Sequence, residues 1–306
     1  MRIAHISDLH LNSRLKPENI HKTRKLIEYA LDNGAEHLVI TGDISDNSDE
    51  KDFNVFKEIL KQYDLLRSDK ATIIIGNHDI FGGPQTAQDV LNFPSKCMNI
   101  NYHAKVAGFV KYFKELFENT TRPHEELFFP FLKEFKNILI VGINSIAEYS
   151  RFKNPFASNG HVSKIQRQYL DTVLNRNEFK DKVKIILAHH HFYPKNITSH
   201  SSEDTLWSKI ENYTMKLRGK KKLMKIFKNN NVKLVLHGHS HEMKEYIRED
   251  IRFINAGASL DNNSDHLASL FLIDVFPKLI TTELCSVLLN KPDNPIEEKL
   301  IQSVAI

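Results

Sequence analysis

Residues 71–79 read ATIIIGNHD, an apolar run that ends abruptly in a glycine and three polar residues. An apolar run this short, bounded by turn residues, predicts a buried strand. Two earlier segments repeat the pattern, since Arg2–Ile6 ends at Ser7-Asp8 and His37–Thr41 ends at Gly42-Asp43. We therefore expect three buried strands that each deliver polar side chains at their carboxyl ends.

Helix-spaced apolar residues separate these strands, over residues 18–33 and about 51–66. A strand–helix–strand rhythm predicts parallel strands joined by crossover helices. Open α/β sheets place their sites at the carboxyl ends of the strands, so the polar residues there are candidates for function. Further elements are predicted as strands at Ile138–Ile143, Val183–Ala188 and Val232–Leu236, a helix over 163–176, and short strands between 243 and 289.

The composition of the 306-residue chain, 41% apolar and 26% charged, is typical of a soluble globular protein. No stretch approaches the roughly 18 apolar residues that span a bilayer. The N-terminus turns polar within eight residues, so it does not resemble a secretory signal. Two cysteines, Cys97 and Cys285, are too few for a disulfide framework, and a net charge of +4 does not dictate a nucleic-acid partner. We expect a cytoplasmic location.

The rhythm breaks at Gly82-Gly83-Pro84, after which residues 84–136 predict an inserted helical cap without strands. Eight aromatic residues lie between Phe109 and Phe135, and they could form a lid, a dimer surface or a packed cap. A segment this long is rarely a passive connector, and two glycines supply freedom for a hinge, so we expect the cap to gate the substrate. One domain is predicted over residues 1–289, followed by a peripheral tail over 290–306.

Six of the sixteen histidines fall within residues 189–191 and 237–241. Imidazole, carboxylate and amide ligands without thiolates suit Mn²⁺, Fe²⁺, Zn²⁺ or Ni²⁺. Seven or more such ligands exceed the needs of one ion, so two divalent ions that share a bridging carboxylate are expected. The five strand ends carry Asp8-x-His10, Gly42-Asp43-x-x-Asp46, Gly76-Asn77-His78-Asp79, His189-His190 and Gly238-His239-x-His241.

These five motifs, in this order over about residues 1–260, resemble the calcineurin-like metallophosphoesterase superfamily. The resemblance implies a four-layer αββα sandwich of two mixed β-sheets flanked by helices, with a dinuclear metal site at the strand ends. His78 matches the position that faces the substrate phosphate. The resemblance further implies Asp8, His10 and His241 as ligands of one ion, Asn77, His189 and His239 as ligands of the other, and Asp43 as the bridge.

The implied chemistry is phosphoester hydrolysis by a metal-activated hydroxide. Two divalent ions lower the pKa of a shared water and neutralise the phosphate oxygens. Asp43 and His78 are the candidate catalytic residues, because Asp43 bridges the ions and a protonated His78 can donate to the leaving oxygen. A covalent phospho-enzyme is not required.

Several residues near these motifs allow more than one interpretation. His190 could replace His189 as the ligand, because His191 stands where relatives often carry proline. Asp46, and His190 if it is not a ligand, are expected to orient a ligand or to face the substrate. Asp79 either orients His78 or ends the turn. His5 and His237 are interpreted as packing residues on buried strands.

The motifs most resemble the bacterial branch of cyclic-nucleotide and glycerophosphodiester phosphodiesterases. We therefore expect a phosphodiesterase that acts on a small (cyclic) nucleotide or a related diester. A phosphomonoesterase, a lipid-precursor or nucleotide pyrophosphatase, a DNA nuclease and a non-catalytic scaffold remain alternatives. The basic run Lys216–Lys228, in a predicted helical stretch over about 204–230, is interpreted as a solvated helix face rather than a nucleic-acid or lipid-headgroup surface.

Overall fold

The computed structural model describes residues 1–84, 86–124, 127–192, 215–260 and 266–289. It confirms the predicted fold class, because two large mixed sheets pack together and helices flank them. The predicted peripheral tail, 290–306, lies outside the described residues, and so does the part of the predicted helical stretch before residue 215.

The first sheet collects the three strands on which the sequence analysis rests. Its strands are Arg2–Ile6 (β1), His37–Ile40 (β2), Ala71–Ile73 (β3), Leu267–Val275 (β12) and Ile280–Leu288 (β13). Their order is β13-β12-β1-β2-β3, in which β1, β2 and β3 are parallel and β12 and β13 are antiparallel to their neighbours. The carboxyl ends of β1, β2 and β3 therefore meet at one edge.

The second sheet has six strands, which are Phe131–Glu134 (β4), Ile138–Gly142 (β5), Val183–Leu187 (β7), Val232–His237 (β9), Met243–Arg248 (β10) and Ile251–Ala256 (β11). Their order is β10-β11-β9-β7-β5-β4, and β5, β7, β9 and β11 are parallel. A small parallel pair joins Gly160–His161 (β6) to Leu217–Arg218 (β8). The histidine motifs follow β7 and β9.

Four of the seven described helices begin at a residue whose side chain caps them. The Asp49 side chain caps the second helix by accepting from the Lys51 N–H, and Ser163 caps the sixth by accepting from Gln166. Within the described part of the chain, no helix is long and apolar enough to cross a bilayer. The helices are Glu18–Asp32 (α1), Glu50–Gln62 (α2), Asn77–Phe81 (α3), Ala87–Met98 (α4), Tyr102–Tyr112 (α5), Lys164–Leu174 (α6) and Lys220–Asn229 (α7).

Strand β5 shows why the parallel strands are apolar throughout. Ile138 and Ile140 belong to the core between the two sheets, whereas Leu139 and Val141 belong to the core beneath α6 and α7. Because alternate side chains of a strand point to opposite faces, both faces of β5 are buried. This arrangement fixes the register of the strands whose ends carry the histidine motifs.

The aromatic residues of the predicted cap pack into the core rather than lining an open lid. Phe113 and Phe117 are buried, and Phe113 contacts Phe53 and Phe56 of α2. Helix α5 also buries Phe109 beside Phe53. Most of the aromatic cluster therefore stabilises the fold, which corresponds to the packed-cap interpretation.

The prediction of a strand-free segment over 84–136 was wrong at its C-terminal end, where β4 pairs antiparallel with β5. The strand was missed because Lys133 interrupts its apolar pattern. In the structure this lysine is buried, and its ammonium group donates to the carbonyl oxygens of Ser68 (2.9 Å) and Ala71 (2.6 Å) next to β3. Burial lowers the pKa of Lys133 to about 7.

The exposure of lysines in the basic run Lys216–Lys228 agrees with the interpretation of this run as a solvated helix face. Helix α7 buries Leu223, Met224 and Phe227, while Lys221 and Lys225 are exposed. An amphipathic helix of this kind covers a sheet and leaves its lysines in solvent.

His37, the first residue of β2, is buried between hydrogen-bonding partners. Its Nδ1 lies 3.0 Å from the Asp69 carbonyl oxygen and its Nε2 lies 2.7 Å from the Thr72 hydroxyl. Burial, assisted by the charge of Lys133, lowers the pKa of His37 from 6.5 to about 3. The unfolded chain therefore binds this proton more readily, and the free energy of unfolding decreases as the pH falls from about 6.5 towards 3.

We expect the substitution His37→Gln to reduce the acid sensitivity of the fold. One proton costs about 1.4 kcal/mol per pH unit, so His37 should lower the wild-type free energy of unfolding by about 2 kcal/mol between pH 7 and pH 5. Urea unfolding at both pH values, with a chelator present, measures this difference. The exposed His21 supplies the control His21→Gln, which should keep the wild-type difference. Equal pH dependence in His37→Gln and wild type would contradict the assignment.

Candidate metal centre

Side chains from the ends of both sheets converge into three groups of histidine and carboxylate residues. In each group, the atoms able to bind a metal lie within 4.8 Å of one another. Six of the seven ligands suggested by the sequence are in these groups, and the seventh, Asn77, contacts His189. The groups are Asp8 with His10 and His241, His10 with Asp46 and His78, and Asp43 with His189 and His239.

Five of the candidate ligands have a left-handed backbone, which residues other than glycine rarely adopt. Their φ angles are 55° at Asp8, 43° at His10, 52° at Asp43, 72° at His239 and 46° at His241. Each such residue costs about 1–2 kcal/mol, so its surroundings must hold it. The Asp8 N–H donates to the Gly42 carbonyl (3.1 Å) and the His10 N–H donates to the Asp43 carbonyl (3.0 Å). These bonds join the loops that follow β1 and β2.

Glycine precedes two of the motifs because the backbone there lies against a carboxylate. A Cβ atom at Gly76 would lie 2.1 Å from Asp43 Oδ1, and one at Gly238 would lie 2.2 Å from Asp8 Oδ2. Real Cβ atoms do not approach so closely, so any side chain at either position would displace a candidate ligand. The backbone at both glycines therefore lies in close contact with a candidate ligand.

His189 is held so that its Nε2 faces Asp43 and Asn77. Its Nδ1 donates to the Thr41 carbonyl (2.8 Å), while Nε2 lies 3.3 Å from Asp43 Oδ2 and 3.0 Å from Asn77 Oδ1. Burial opposes a charge on this ring, but the Asp43 carboxylate outweighs it and raises the pKa of His189 to about 9. The space among these three side chains therefore favours positive charge, which a divalent ion supplies.

His190 has surroundings different from those of His189, the residue that the resemblance favours as a ligand. Both ring nitrogens of His190 contact the protein, Nδ1 with the Ser145 hydroxyl (2.9 Å) and Nε2 with the Ser158 carbonyl (3.1 Å). The same carbonyl lies 3.1 Å from His239 Nε2, which leaves Nδ1 of His239 as the nitrogen available to a metal. The His190 ring thus packs against the His239 ring, with ring centroids 4.3 Å apart.

The environment of His10 fits a divalent cation. Its Nε2 lies 3.9 Å from both Asp8 Oδ1 and Asp43 Oδ2. Among the described residues, neither ring nitrogen of His10 has a hydrogen-bond partner, although both are buried. The exposed His241 ring stacks on His10 at 5.4 Å. A buried imidazole that faces two carboxylates without a hydrogen bond is suited to an ion between them.

Asp46 orients His78 and also approaches His10. The Asp46 carbonyl lies 2.9 Å from His78 Nδ1, so Nδ1 donates there. The Asp46 carboxylate lies 3.5 Å from His10 Nδ1 and 3.4 Å from the ammonium group of Lys16. Burial opposes ionisation of Asp46, but its contact with His10 and the charge of His78 hold its pKa below the usual range. Burial lowers the pKa of His78, although Asp43 opposes this effect.

Asp79 joins two of the loops, which neither sequence interpretation anticipated. Its Oδ1 accepts from the N–H groups of Ile44 (2.9 Å) and Ser45 (3.0 Å), and its Oδ2 accepts from Gly76 (2.8 Å). Burial and the nearby charge of Asp43 raise the pKa of Asp79 to about 7. The Asp79 carboxylate therefore connects the loop after β2 to the loop after β3.

Two further histidines lie in the packed interior, as the sequence interpretation expected. His237 Nε2 lies 3.0 Å from the Tyr246 hydroxyl, and its ring lies near Phe192 and Phe253. His5 Nε2 lies 3.0 Å from the Thr41 hydroxyl, and burial lowers the pKa of His5 to about 3. Neither residue belongs to the three groups at the strand ends.

Sequence reasoning missed three residues that shape the site. Ser145 lies three residues after the end of β5, so the rule that located the other motifs at strand ends could have found it. Ser158 contacts both histidine rings through its backbone carbonyl, which leaves no signal in the sequence. Gly83 was interpreted as part of a hinge, but a Cβ there would lie 2.3 Å from His78 Cε1, and its N–H donates to the Asp46 carbonyl (3.0 Å).

A family comparison agrees with this geometry: the model of calcineurin-like phosphoesterases matches residues 1–243. The chain belongs to this family. Calcineurin-like phosphoesterases bind a dinuclear metal centre, and the His/Asp groups described above can provide its ligands. The resemblance drawn from the five motifs is therefore confirmed at the level of the family.

Solved structures with the same fold share little sequence with this chain. A dimetal phosphatase from Danio rerio is 11% identical with a TM-score of 0.57, over 94% of this chain and 95% of that chain. GAP50, the anchor in the inner membrane complex of Plasmodium, is 13% identical with a TM-score of 0.51, over 95% and 88%. The purple acid phosphatase PPD1 from yellow lupin is 13% identical with a TM-score of 0.54, over 94% and 51%.

At these identities the structural similarity establishes the fold alone. The comparison with curated proteins found no match. The family assignment supports a phosphoester hydrolase, and the choice of substrate depends on the site itself.

The shared position of Asp43 predicts how metal binding responds to substitution. Wild-type protein equilibrated with Mn²⁺ should retain about two ions per chain, because the ligands form two sets around Asp43. The substitution Asp43→Asn should weaken both ions, whereas His241→Ala should weaken only the ion near Asp8 and His10. Elemental analysis after gel filtration measures the ratios. An Asp43→Asn protein that retains both ions as well as wild type does would contradict the bridging position.

The contact between Gly83 and His78 predicts a catalytic defect from a single methyl group. The substitution Gly83→Ala should push the His78 ring aside and lower kcat by about 10–100-fold, because small displacements of reacting groups are costly. Metal content should remain at the wild-type value. The matched control is Gly108→Ala on α5, where a Cβ meets no atom within 4 Å. Equal kcat values for the two variants would show that His78 tolerates the methyl group.

Proposed function

We propose that this chain is a phosphodiesterase that hydrolyses a small (cyclic) nucleotide or a related diester. The observation that carries the proposal is the position of Asp43 Oδ2, which lies 3.9 Å from His10 Nε2 and 3.3 Å from His189 Nε2. One carboxylate oxygen thus faces two separate sets of ligands. Asp8, His10 and His241 would hold one ion, Asn77, His189 and His239 would hold the other, and Asp43 would bridge them.

When bound, two divalent ions lower the pKa of a coordinated water towards neutrality and neutralise the charge on phosphate oxygens. The ligand types suit Mn²⁺, Fe²⁺, Zn²⁺ or Ni²⁺. The protein contributes a preformed geometry, since the carbonyls of Thr41 and Ser158 fix the His189 and His239 rings. Such preorganised groups act without reorganisation during the reaction.

His78 is placed to assist the departure of the leaving oxygen. Its backbone N–H donates to Asp43 Oδ1 (2.8 Å), and its Nδ1 is held by the Asp46 carbonyl. The ring is therefore fixed beside the carboxylate proposed as the bridge, with the centroids of the His78 and His10 rings 4.6 Å apart and the rings nearly perpendicular. In the proposed mechanism its Nε2 faces the substrate. We assign His78 as the group that donates a proton to the leaving alkoxide.

Beyond the two ions, the described residues offer little lysine charge for a second anionic phosphate oxygen, which supports the choice of a diester. A diester carries one negative charge on its phosphate, whereas a monoester carries close to two at neutral pH. Lys16 is the lysine that approaches this cluster in the described part of the chain, and its ammonium group is paired with the buried Asp46 carboxylate at 3.4 Å. Because Asp46 offsets this charge, Lys16 offers little additional attraction to a second anionic oxygen.

A substrate panel tests the proposal in the presence of Mn²⁺. The kcat/KM for bis(p-nitrophenyl) phosphate should exceed that for p-nitrophenyl phosphate by at least about tenfold, and a cyclic AMP isomer should be hydrolysed. Activity lost in Asp43→Asn ties the hydrolysis to this site. A preference for the monoester, for a pyrophosphate bond or for single-stranded DNA would replace the proposal with the corresponding alternative. A metal-loaded protein without turnover of any ester would indicate a scaffold.

The assigned role of His78 predicts a dependence on the leaving group. The substitution His78→Ala should lower kcat by about 10²–10⁴-fold for a diester with an alkoxide leaving group, because an alkoxide needs a proton to depart. The loss should be much smaller for a p-nitrophenolate leaving group. Metal content serves as the internal control, and His21→Ala, at an exposed histidine, should retain full activity. Equal losses on both classes of substrate would remove His78 from the acid role.

A further inference from the structure

A cavity that the proposed catalysis does not use lies beside the candidate metal centre. It is a groove of about 870 Å³ between α5, the loop from β5 to β6, the start of α6 and β8. Small-molecule sites commonly enclose roughly 300–1,000 Å³. None of the seven candidate metal ligands lines the groove.

One wall of the groove is apolar. Val106 and Ala107 of α5 contribute to it, together with Phe128, Phe129 and Ile146. Phe129 and Ile146 are themselves packed into the interior, so this wall is supported from behind. A supported apolar wall of this kind accepts an aromatic ring or a short alkyl chain.

Another part of the lining is basic. Lys153, His161 and Arg218 contribute to it, and strand pairing places His161 directly beside Arg218. The Arg218 guanidinium donates to the Lys153 carbonyl, which holds the two basic residues together. Burial and the positive charges of Arg167 and Arg218 lower the pKa of His161. Glu148 is the acidic side chain that lines the groove, and it lies 3.6 Å from His103 at an exposed position. The groove therefore combines an apolar wall with the positive charges of Lys153 and Arg218, the basic wall.

Hydrogen bonds hold Tyr102, Asn144 and Ile146 in the lining of the groove, and further contacts connect this part of the lining to the candidate metal centre. The Tyr102 hydroxyl donates to the Ile146 carbonyl (2.8 Å) and accepts from Asn144 Nδ2 (2.9 Å). Ser145, next to Asn144, contacts His190, which in turn contacts the His239 ring. The groove is thus preformed, and a layer of side chains separates it from the ligands.

We propose that this groove is a separate binding site for an organic anion with an aromatic or short alkyl body and one anionic head group. The body would lie against Ala107 and Phe128, and the head group would face Lys153 and Arg218. An inorganic anion would leave the apolar wall uncovered, and a neutral compound would leave the basic wall unpaired. This inference does not depend on the proposed phosphodiesterase activity.

Calorimetry on the metal-free chain tests the site, with naphthalene-2-sulfonate as the probe and a chelator present. The sulfonate should bind one per chain, and 2-naphthalenemethanol and inorganic sulfate should each bind at least about tenfold more weakly. Saturating Mn²⁺ in place of the chelator should leave the affinity for the sulfonate unchanged. Equal binding of either comparison compound would overturn the proposal. A change of affinity with Mn²⁺ in either direction would also overturn it, because a probe at the metal centre would respond to the charge of the ions.

Substitutions locate the probe within the groove. Ala107→Trp should fill the groove and weaken sulfonate binding at least tenfold, whereas the control Lys111→Trp, one turn further along α5 at an exposed position outside the groove, should bind as wild type does. Lys153→Gln, at an exposed side chain, should weaken the sulfonate without affecting the alcohol. Circular dichroism verifies the fold of each variant. Wild-type affinity in both Ala107→Trp and Lys153→Gln would overturn the assignment.

Discussion

The site depends on hydrogen bonds between loops that hold the backbone in an unfavourable conformation. Asp8, His10 and Asp43 are all left-handed, and the carbonyls of Gly42 and Asp43 bind the N–H groups of Asp8 and His10. Asp79 adds the loop after β3 to the same network. The strands determine where the loops lie, and this hydrogen-bond network determines the direction in which the side chains of the loops point. Part of the free energy of folding thereby maintains the unfavourable backbone conformation of the candidate ligands.

The same constraint explains how much the sequence could predict. Apolar runs that end in polar residues identified β1, β2, β3, β7 and β9, because parallel strands buried on both faces have no polar alternation to obscure their ends. Parallel pairing then brings those ends together whatever the details of the loops. The candidate ligands consequently followed from the strand pattern and the order of the motifs, before any contact was known.

Other features depend on contacts that residue type does not encode. His189 and His190 are chemically identical, and their surroundings separate them, since Asp43 lies beside His189 and the Ser145 hydroxyl beside His190. The Ser158 carbonyl would be supplied by any residue at that position. Strand β4 was hidden because a lysine usually marks an exposed surface, whereas Lys133 finds two carbonyl acceptors inside the protein.

Lys133 also lies at an edge of the two sheets, where a strand from another molecule could pair. Strands β3 and β4 are the last strands on one side of the two sheets, and the edge of a sheet can pair with a strand from another molecule. An inward-pointing charge on such a strand is a known safeguard, because a shifted register or a docked foreign strand would separate the ammonium group from its acceptors. The buried lysine that conceals β4 from sequence reasoning thus ties this strand to β3, while the backbone hydrogen bonds that Leu132 exchanges with Thr121 cover part of its outer edge.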